Sequence, residues 1–508
     1  MQPQVEHGWV AARSPRTYPA ASFWRMDANS LQAVFAALTL GAFTPLFVAV
    51  GLWVAFVVYG LVALRPHPKG LGPLFFTEMW ERFSYYGMRA LLMLYMVAPA
   101  TAGGLALSKE WAGTVYAFYT FFVYALSIPG GWVADRFLGY RRAVQAGGVL
   151  IVLGEFGLAS GPRPLFYLGL VAIAVGTGLL KTNCTSLVGM LYGENDSRRD
   201  AGFSIYYMGI NIGALIAPLI LGFIAQEPAV VNALGALGLG SVNGWRCAFG
   251  LAGLAMVAGL VQYTLRQGIL GEVGLRAGAR VTQQGDQAAQ APLTHEERQR
   301  MWVVGILVLF IITFFFVFEQ AGTTLNLFAD EHTRNSIGGW AFPSSWFQSV
   351  NSTWLLLLAP VLSWLWVRLG DKEPSSPVKF ALGLLFVGAG MLLLVPPSLA
   401  YTAEPALRVA PWWLVGTYLL QTIGELCLSP VGLSTVSKLA PPRYSGVMMG
   451  VFFFAIGAGN MLAGFAGGFS DRLPPATLFG GLFAITTVMA VVLLALSPTI
   501  KRMMGGVR

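Results

Sequence analysis

Four ionisable side chains occur where a bilayer-spanning helix would ordinarily carry none. Between Thr77 and Arg89 the chain reads TEMWERFSYYGMR, inside a run from Leu74 to Ala98 that is otherwise apolar and long enough to cross a membrane. Glu78, Glu81, Arg82 and Arg89 are each costly near a bilayer centre. At 3.6 residues per turn they fall, with Tyr85 and Tyr86, within an arc of roughly 140°. The opposite arc is Phe, Met, Leu and Ala. A helix divided in this way must turn its ionised stripe toward a protected polar interior. Two readings of the stripe are open: an ion-pair network that only holds helices together, or a path for a solute or a proton.

Further charges lie at similar depth. Lys181 ends the apolar stretch VGTGLL and has more apolar sequence beyond it, so it is no simple snorkelling anchor. A buried ammonium needs a carboxylate, from the protein or from a solute. Glu319 breaks a phenylalanine-rich run, and helical periodicity puts it on one face with Thr323, Asn326 and Asp330. A carboxyl among aromatics favours its protonated form unless a cation is close, which makes Glu319 the best proton carrier in the chain. Its expected partner when ionised is Arg82; the alternative is a permanent pair with an arginine. Glu425 stacks with Gln421 and Ser429 on one helical face, ahead of a Pro430 that can free a carbonyl and bend the helix. Glu155 stands alone among Gly, Leu and Val and is left without an assignment. All four histidines fall outside the apolar spans, so a proton path through them must use carboxylates.

The elements that must position these residues follow from composition. The 508 residues are 56% hydrophobic and only 11% charged, less than half the charged share of a soluble domain. An all-α polytopic membrane protein is expected. Twelve spans follow Lys69, centred near residues 86, 122, 151, 174, 213, 256, 314, 357, 387, 424, 457 and 487. Lys and Arg alternate between loops, with Arg136, Arg141, Arg142, Arg198, Arg199, Arg266 and Arg368 on one side and few on the other, so both ends of this core are expected in the cytoplasm. Residues 1–66 read as a polar tail followed by an extra apolar segment, Leu31 to Leu64, interrupted by Gly41, Pro45 and Gly51; one helix or a hairpin would fit. Residues 67–266 and 301–508 read as two six-helix bundles, and the polar, Gln- and Ala-rich 267–300 as the cytoplasmic linker. The three cysteines have no metal-ligand spacing. The net charge of +9 is spread over short loops, which argues against nucleic acid.

Glu78-x-x-Glu81-Arg82-Phe83-x-Tyr85-Tyr86-Gly87 resembles the first-helix signature of the proton-dependent oligopeptide transporters, a branch of the major facilitator superfamily. The resemblance runs from about Gly70 to the C-terminus. Gly131 to Arg142, with Asp135 and Arg136, is similar to the superfamily's loop motif after the second span and implies a conformational role, shared with Arg89. Phe203-Ser-Ile-Tyr206-Tyr207-Met-Gly209-Ile-Asn211-Ile-Gly213 matches a family element in the fifth span, and Tyr207 and Asn211 share a face. Tyr124 matches a cavity-facing tyrosine, although a packing role fits equally well. The lysine of the family's fourth helix falls at Lys181, with Thr182 where proline is usual; Phe452 stands where tryptophan is common. Gly424-Glu425-x-x-x-Ser429-Pro430 is a further match, and Asn351 and Glu425 take the family's role of holding an ammonium group.

The resemblance implies a major facilitator fold and proton-driven uptake of di- and tripeptides across the cytoplasmic membrane, with no cofactor beyond the proton gradient. The charges agree with it on their own terms. Arg82 and Lys181 in the first bundle can take a carboxylate, and Glu425 with Asn351 in the second can take an amine. Glu78, Glu81, Arg82 and Glu319 would couple protons; Arg82, Tyr85, Tyr86, Tyr124, Lys181, Tyr207, Asn211, Asn351, Glu425 and Ser429 would meet peptide. The alternatives are another small solute on the same fold, such as nitrate, an amino acid or a peptide-like drug, or a sensor that does not transport. A membrane enzyme is disfavoured, since no His cluster, nucleophile elbow or paired aspartates occur near membrane depth.

Overall fold

The structure, a computed structural model, describes residues 40–193, 196–236, 243–275, 294–441 and 444–505. The expected N-terminal tail, most of the expected linker (276–293) and Arg443 lie outside those residues.

After α1 (Leu40–Ala63), a first half comprises α2 (Leu71–Val97), α3 (Lys109–Ala125) continued by α4 (Ser127–Val133), α5 (Tyr140–Ser160), α6 (Arg163–Met190), α7 (Arg199–Gln226), the short α8 (Pro228–Ala236) and α9 (Gly244–Arg266). The second half comprises α10 (His295–Phe318) and α11 (Thr324–Glu331), then α12 (Gln348–Leu369), α13 (Ser376–Leu393) and α14 (Val395–Ala403), α15 (Trp412–Leu439), α16 (Ser445–Gly468) and α17 (Pro475–Met503). A two-stranded hairpin, β1 (Ser336–Ile337) and β2 (Trp340–Ala341), links α11 to α12.

Twelve helical segments among the described residues are long and apolar enough to cross a membrane, but they are not the twelve expected. α1 is one of them, and α2 is not, because its charges lower its hydropathy. α2 nevertheless runs 27 residues and is buried along nearly its whole length against α7 and α9. It completes the two halves with the other eleven, and α1 stands outside as an addition. α1 is a single helix that runs through Pro45 and Gly51. A break facing lipid would leave amides and carbonyls with no partner, and this penalty outweighs the weak helix propensity of those residues. α1 lies along α7, with Trp53 edge-on to Trp80 at 5.3 Å between ring centroids.

Each half has its own apolar core. Leu91, Tyr95, Tyr116, Phe166 and Phe249 belong to the first, and Phe310, Phe314, Leu384, Leu428 and Phe479 to the second. The expected Asp135–Arg136 latch is built differently. Asp135 accepts the hydroxyl of Tyr140, Arg136 is exposed, and it is Arg141 that reaches across, donating to the carbonyls of Gly271 and Val273 after α9. Gly139 makes this possible: its φ is +73°, and a Cβ there would lie 2.8 Å from the carbonyl oxygen of Leu275.

Candidate functional site

The stripe on α2 faces inward as its periodicity requires. Glu78, Glu81 and Arg82 are at most 2% exposed and Arg89 is 7% exposed. Arg82 donates to both oxygens of Glu81, and its Nε lies 3.3 Å from Glu78 Oε1. Glu78 Oε2 accepts the Tyr206 hydroxyl at 2.5 Å. The Arg82 guanidinium also lies 5.1 Å from the centre of the Tyr85 ring. This end of the stripe is an ion-pair network within the first half, in which Glu78 Oε1 has the 3.3 Å ion contact to Arg82 but no hydrogen bond.

Arg89 sits two turns further along and behaves differently. Its Nη2 donates to Glu319 Oε2 at 2.5 Å and its Nε to the Tyr116 hydroxyl at 2.9 Å, with the Tyr86 ring 5.8 Å away. The expected pairing of Glu319 with Arg82 is therefore corrected: Arg82 is already taken by Glu78 and Glu81, and Arg89 is the partner. This ion pair joins the two halves. The expected common face of Glu319, Thr323, Asn326 and Asp330 is also broken. α10 ends at Phe318, Glu319–Gly322 forms a tight turn, and Thr323 leaves helical geometry at φ −122°, ψ −93°. Gly322 explains the break, since a Cβ there would lie 1.8 Å from the Tyr116 hydroxyl and 3.2 Å from Arg89 Nε. The residues beyond it serve packing: Asn326 donates to the Ala90 carbonyl, and Asp330 accepts from Ser344.

Lys181, on α6, is half-buried with its Nζ 4.6 Å from the centre of the Tyr124 ring. Among the described residues it forms no ion pair within 4 Å. On the other half, Asn351 Nδ2 donates to Glu425 Oε2 at 3.0 Å and to Thr422 Oγ1 at 2.9 Å. Glu425 likewise has no cation within 4 Å among the described residues. The hydroxyl of Ser429 is buried without a hydrogen-bond partner, as are both polar atoms of Gln421. Asn211 donates to the Tyr207 carbonyl within α7, and Tyr207 itself is 51% exposed beside the 3% exposed Tyr206.

A small cavity of about 30 Å³ lies between the halves, lined by Tyr86 and Arg89 from one side and Gln348, Asn351, Tyr418 and Gln421 from the other. Toward the end of the bundle away from the basic loops, further contacts join the halves. Lys109 pairs with Glu331 at 2.8 Å and Asp471 at 2.9 Å, Arg472 with Glu110 at 2.5 Å, and Gln226 bonds Ser344 at 2.9 Å. That end is closed. Reading the sequence missed Tyr116, which carried no signal in an aromatic-rich span, and made no assignment for Tyr206, whose hydroxyl meets Glu78.

Two helical halves, each with its own core and meeting around buried charges from both, define a polytopic membrane protein of major facilitator architecture. The chain belongs to the POT family, whose model matches residues 141–278 and 273–478. It is 39% identical over 476 residues to the uncharacterised transporter YclF of Bacillus subtilis, covering 87% of this chain and 96% of that protein. Against the peptide transporter YePEPT of Yersinia enterocolitica identity is 35% over 506 residues, with the same coverage. A crystal structure of a mutant of the peptide transporter POT in complex with alafosfalin matches with a TM-score of 0.77 at 35% identity, covering 87% of this chain and 96% of that one.

Proposed function

We propose that the protein is a proton-coupled symporter of di- and tripeptides in the cytoplasmic membrane, working by alternating access with the basic loops inside the cell. One observation carries this reading. Lys181 on the first half and Glu425 on the second are opposite charges without ion-pair partners among the described residues. A zwitterionic peptide supplies a carboxylate for one and an ammonium for the other, and both charges then have the partners that burial demands. Tyr124, Asn351 and Ser429 line the two ends, and Tyr85, Tyr86, Tyr207 and Asn211 the space between them. A simple anion carrier is disfavoured, because Glu81 and Glu425 would repel its cargo.

The proton acts at Glu319. Ionised, it holds Arg89 across the interface; protonated, it releases Arg89 and loosens one tie between the halves. Glu78, Glu81 and Arg82 form a second proton-responsive set within the first half, and Arg141 and Asp135 brace its basic end. Such a cycle needs the proton gradient and no cofactor. Uptake of labelled dialanine into proteoliposomes, with and without an inward proton gradient, tests this function. Accumulation that follows the gradient supports it; uptake indifferent to the gradient, or none with the protein folded and inserted, refutes it.

A further inference from the structure

Glu155 has no part in the cycle just described, yet its surroundings are unusual. It lies on α5 at the back of the first half, 0% exposed. Its Oε1 accepts the Ser84 hydroxyl at 2.7 Å, and its Oε2 has no hydrogen-bond partner. Ser84 stands three residues after Glu81 on α2, so it reaches back from the charged stripe toward α5. From α3, Tyr119 presents a second buried hydroxyl without a hydrogen-bond partner. α9 brings Gly253 against the Glu155 Cβ, and α6 packs Gly169 and Ile173 on the adjoining Gly154. Among the described residues Glu155 forms no ion pair, and Glu81, a group of the same sign, stands three residues from its Ser84 partner on α2.

We propose that Glu155 is an additional proton-binding site, carrying a proton while Glu81 is ionised and coupled antagonistically to it through the Ser84 and Tyr119 side of α2. The geometry states the reason. A fully buried carboxylate with one neutral hydrogen bond and a like charge nearby is not compensated, whereas a neutral carboxylic acid in the same place needs no compensating cation. Glu81 is in turn bound to Arg82, so a change in the Arg82–Glu81 pair alters the field at Glu155. When Glu81 takes a proton, Glu155 becomes free to lose one. The proton bound at the back of the helix therefore reports the state of the stripe at its front.

The test is infrared difference spectroscopy of the purified full-length protein in lipid, following the C=O stretch of protonated carboxyls across a pH series. Wild type should show such a band at neutral pH, and Glu155→Gln, close in shape, should lose the component that Glu155 contributes. Glu81→Gln removes the like charge, so the Glu155 band should weaken at neutral pH where wild type retains it. A wild-type-minus-Glu155→Gln difference with no protonated-carboxyl component at neutral pH overturns the site, and a Glu155 component unchanged by Glu81→Gln overturns the coupling. No peptide is needed for this readout, so the inference can fail while peptide transport stands, and the reverse. Thermal unfolding of Glu155→Gln confirms that a lost band comes from a folded protein; a variant that does not fold is replaced by ¹³C-carboxyl labelling of wild-type glutamate, in which absence of a protonated buried carboxyl at neutral pH overturns the site.

Discussion

Replacing Glu319 with Gln should uncouple the protein without closing its peptide site. The Arg89–Glu319 pair is 2.5 Å long and its side chains are 9% and 8% exposed, so it is a buried ion pair across the interface of the halves. Removing one partner of such a pair costs about 3–5 kcal/mol, because the other charge stays buried and unpaired. Arg89 retains the Tyr116 hydroxyl at 2.9 Å and the Tyr86 ring at 5.8 Å, which places this site at the low end of that range. At 1.4 kcal/mol per decade, about 3 kcal/mol changes the balance between joined and separated halves by roughly two powers of ten. The amide introduced by Glu319→Gln cannot alternate between charged and neutral forms, so gradient-driven accumulation of labelled dialanine should vanish while peptide exchange across the same proteoliposomes remains measurable. A double-mutant cycle on thermal stability discriminates the partner: coupling of about 0.5–3 kcal/mol is expected between Arg89 and Glu319, and within about 0.5 kcal/mol of zero between Arg82 and Glu319. A Glu319→Gln protein that still concentrates peptide would refute the coupling role, and an Arg82 term as large as that of Arg89 would refute the pairing.

Three other outcomes are expected. Amidated and N-acetylated dipeptides should compete poorly with the free dipeptide, each leaving a desolvated charge unpaired at roughly 2–5 kcal/mol; Lys181→Ala should erase the discrimination against the amide and Glu425→Ala that against the acetyl form, and an acetylated peptide competing fully in wild type would remove Glu425 from the site. His332 stacks on Tyr401 with ring centroids 3.9 Å apart, and burial lowers its pKa below the ordinary 6.5 although Glu331 opposes the shift. The unfolded ring then takes a proton more readily than the folded one, so stability falls as pH drops below that value; His332→Gln should flatten the decline of melting temperature between about pH 7 and 5, and an unchanged slope would show that His332 does not set it. A chain shortened to begin at Arg65 should insert and carry peptide with near-normal affinity but melt earlier, having lost the packing of Trp53 on Trp80; a folded, inserted protein that binds no peptide would show that α1 completes the site.

The parts of the site legible in the sequence are those fixed by local geometry. The arc of Glu78, Glu81, Arg82 and Arg89 follows from 3.6 residues per turn, and one charged stripe on an apolar helix has only the protein interior to face. Partner choice is not local. Arg82 and Arg89 lie two turns apart on the same face, either within reach of an incoming carboxylate by periodicity alone. Arg82 has Glu78 and Glu81 within one turn of its own helix, where an ion pair forms with little ordering cost. Among the described residues Arg89 has no carboxylate partner on its side of the interface, and the carboxylate comes from the opposite half, 230 positions away in the chain.

The turn that delivers Glu319 was hidden for a related reason. Periodicity assumes a continuous helix, but Gly322 lets the backbone pass against the Tyr116 hydroxyl, and α10 stops one residue before Glu319. Glu319 thereby lies at the end of one helix and before the start of the next, a place where a carboxylate can exchange partners without carrying a whole helix with it. α2 shows the converse. Its charges make it too polar to be counted among the apolar spans, and those same charges give the first half its buried stripe and, through Arg89, a tie to the second half. A residue expensive to bury is kept only where its partner is also its function, and the Arg89–Glu319 pair meets that condition because protonation of one member changes the attraction between the halves.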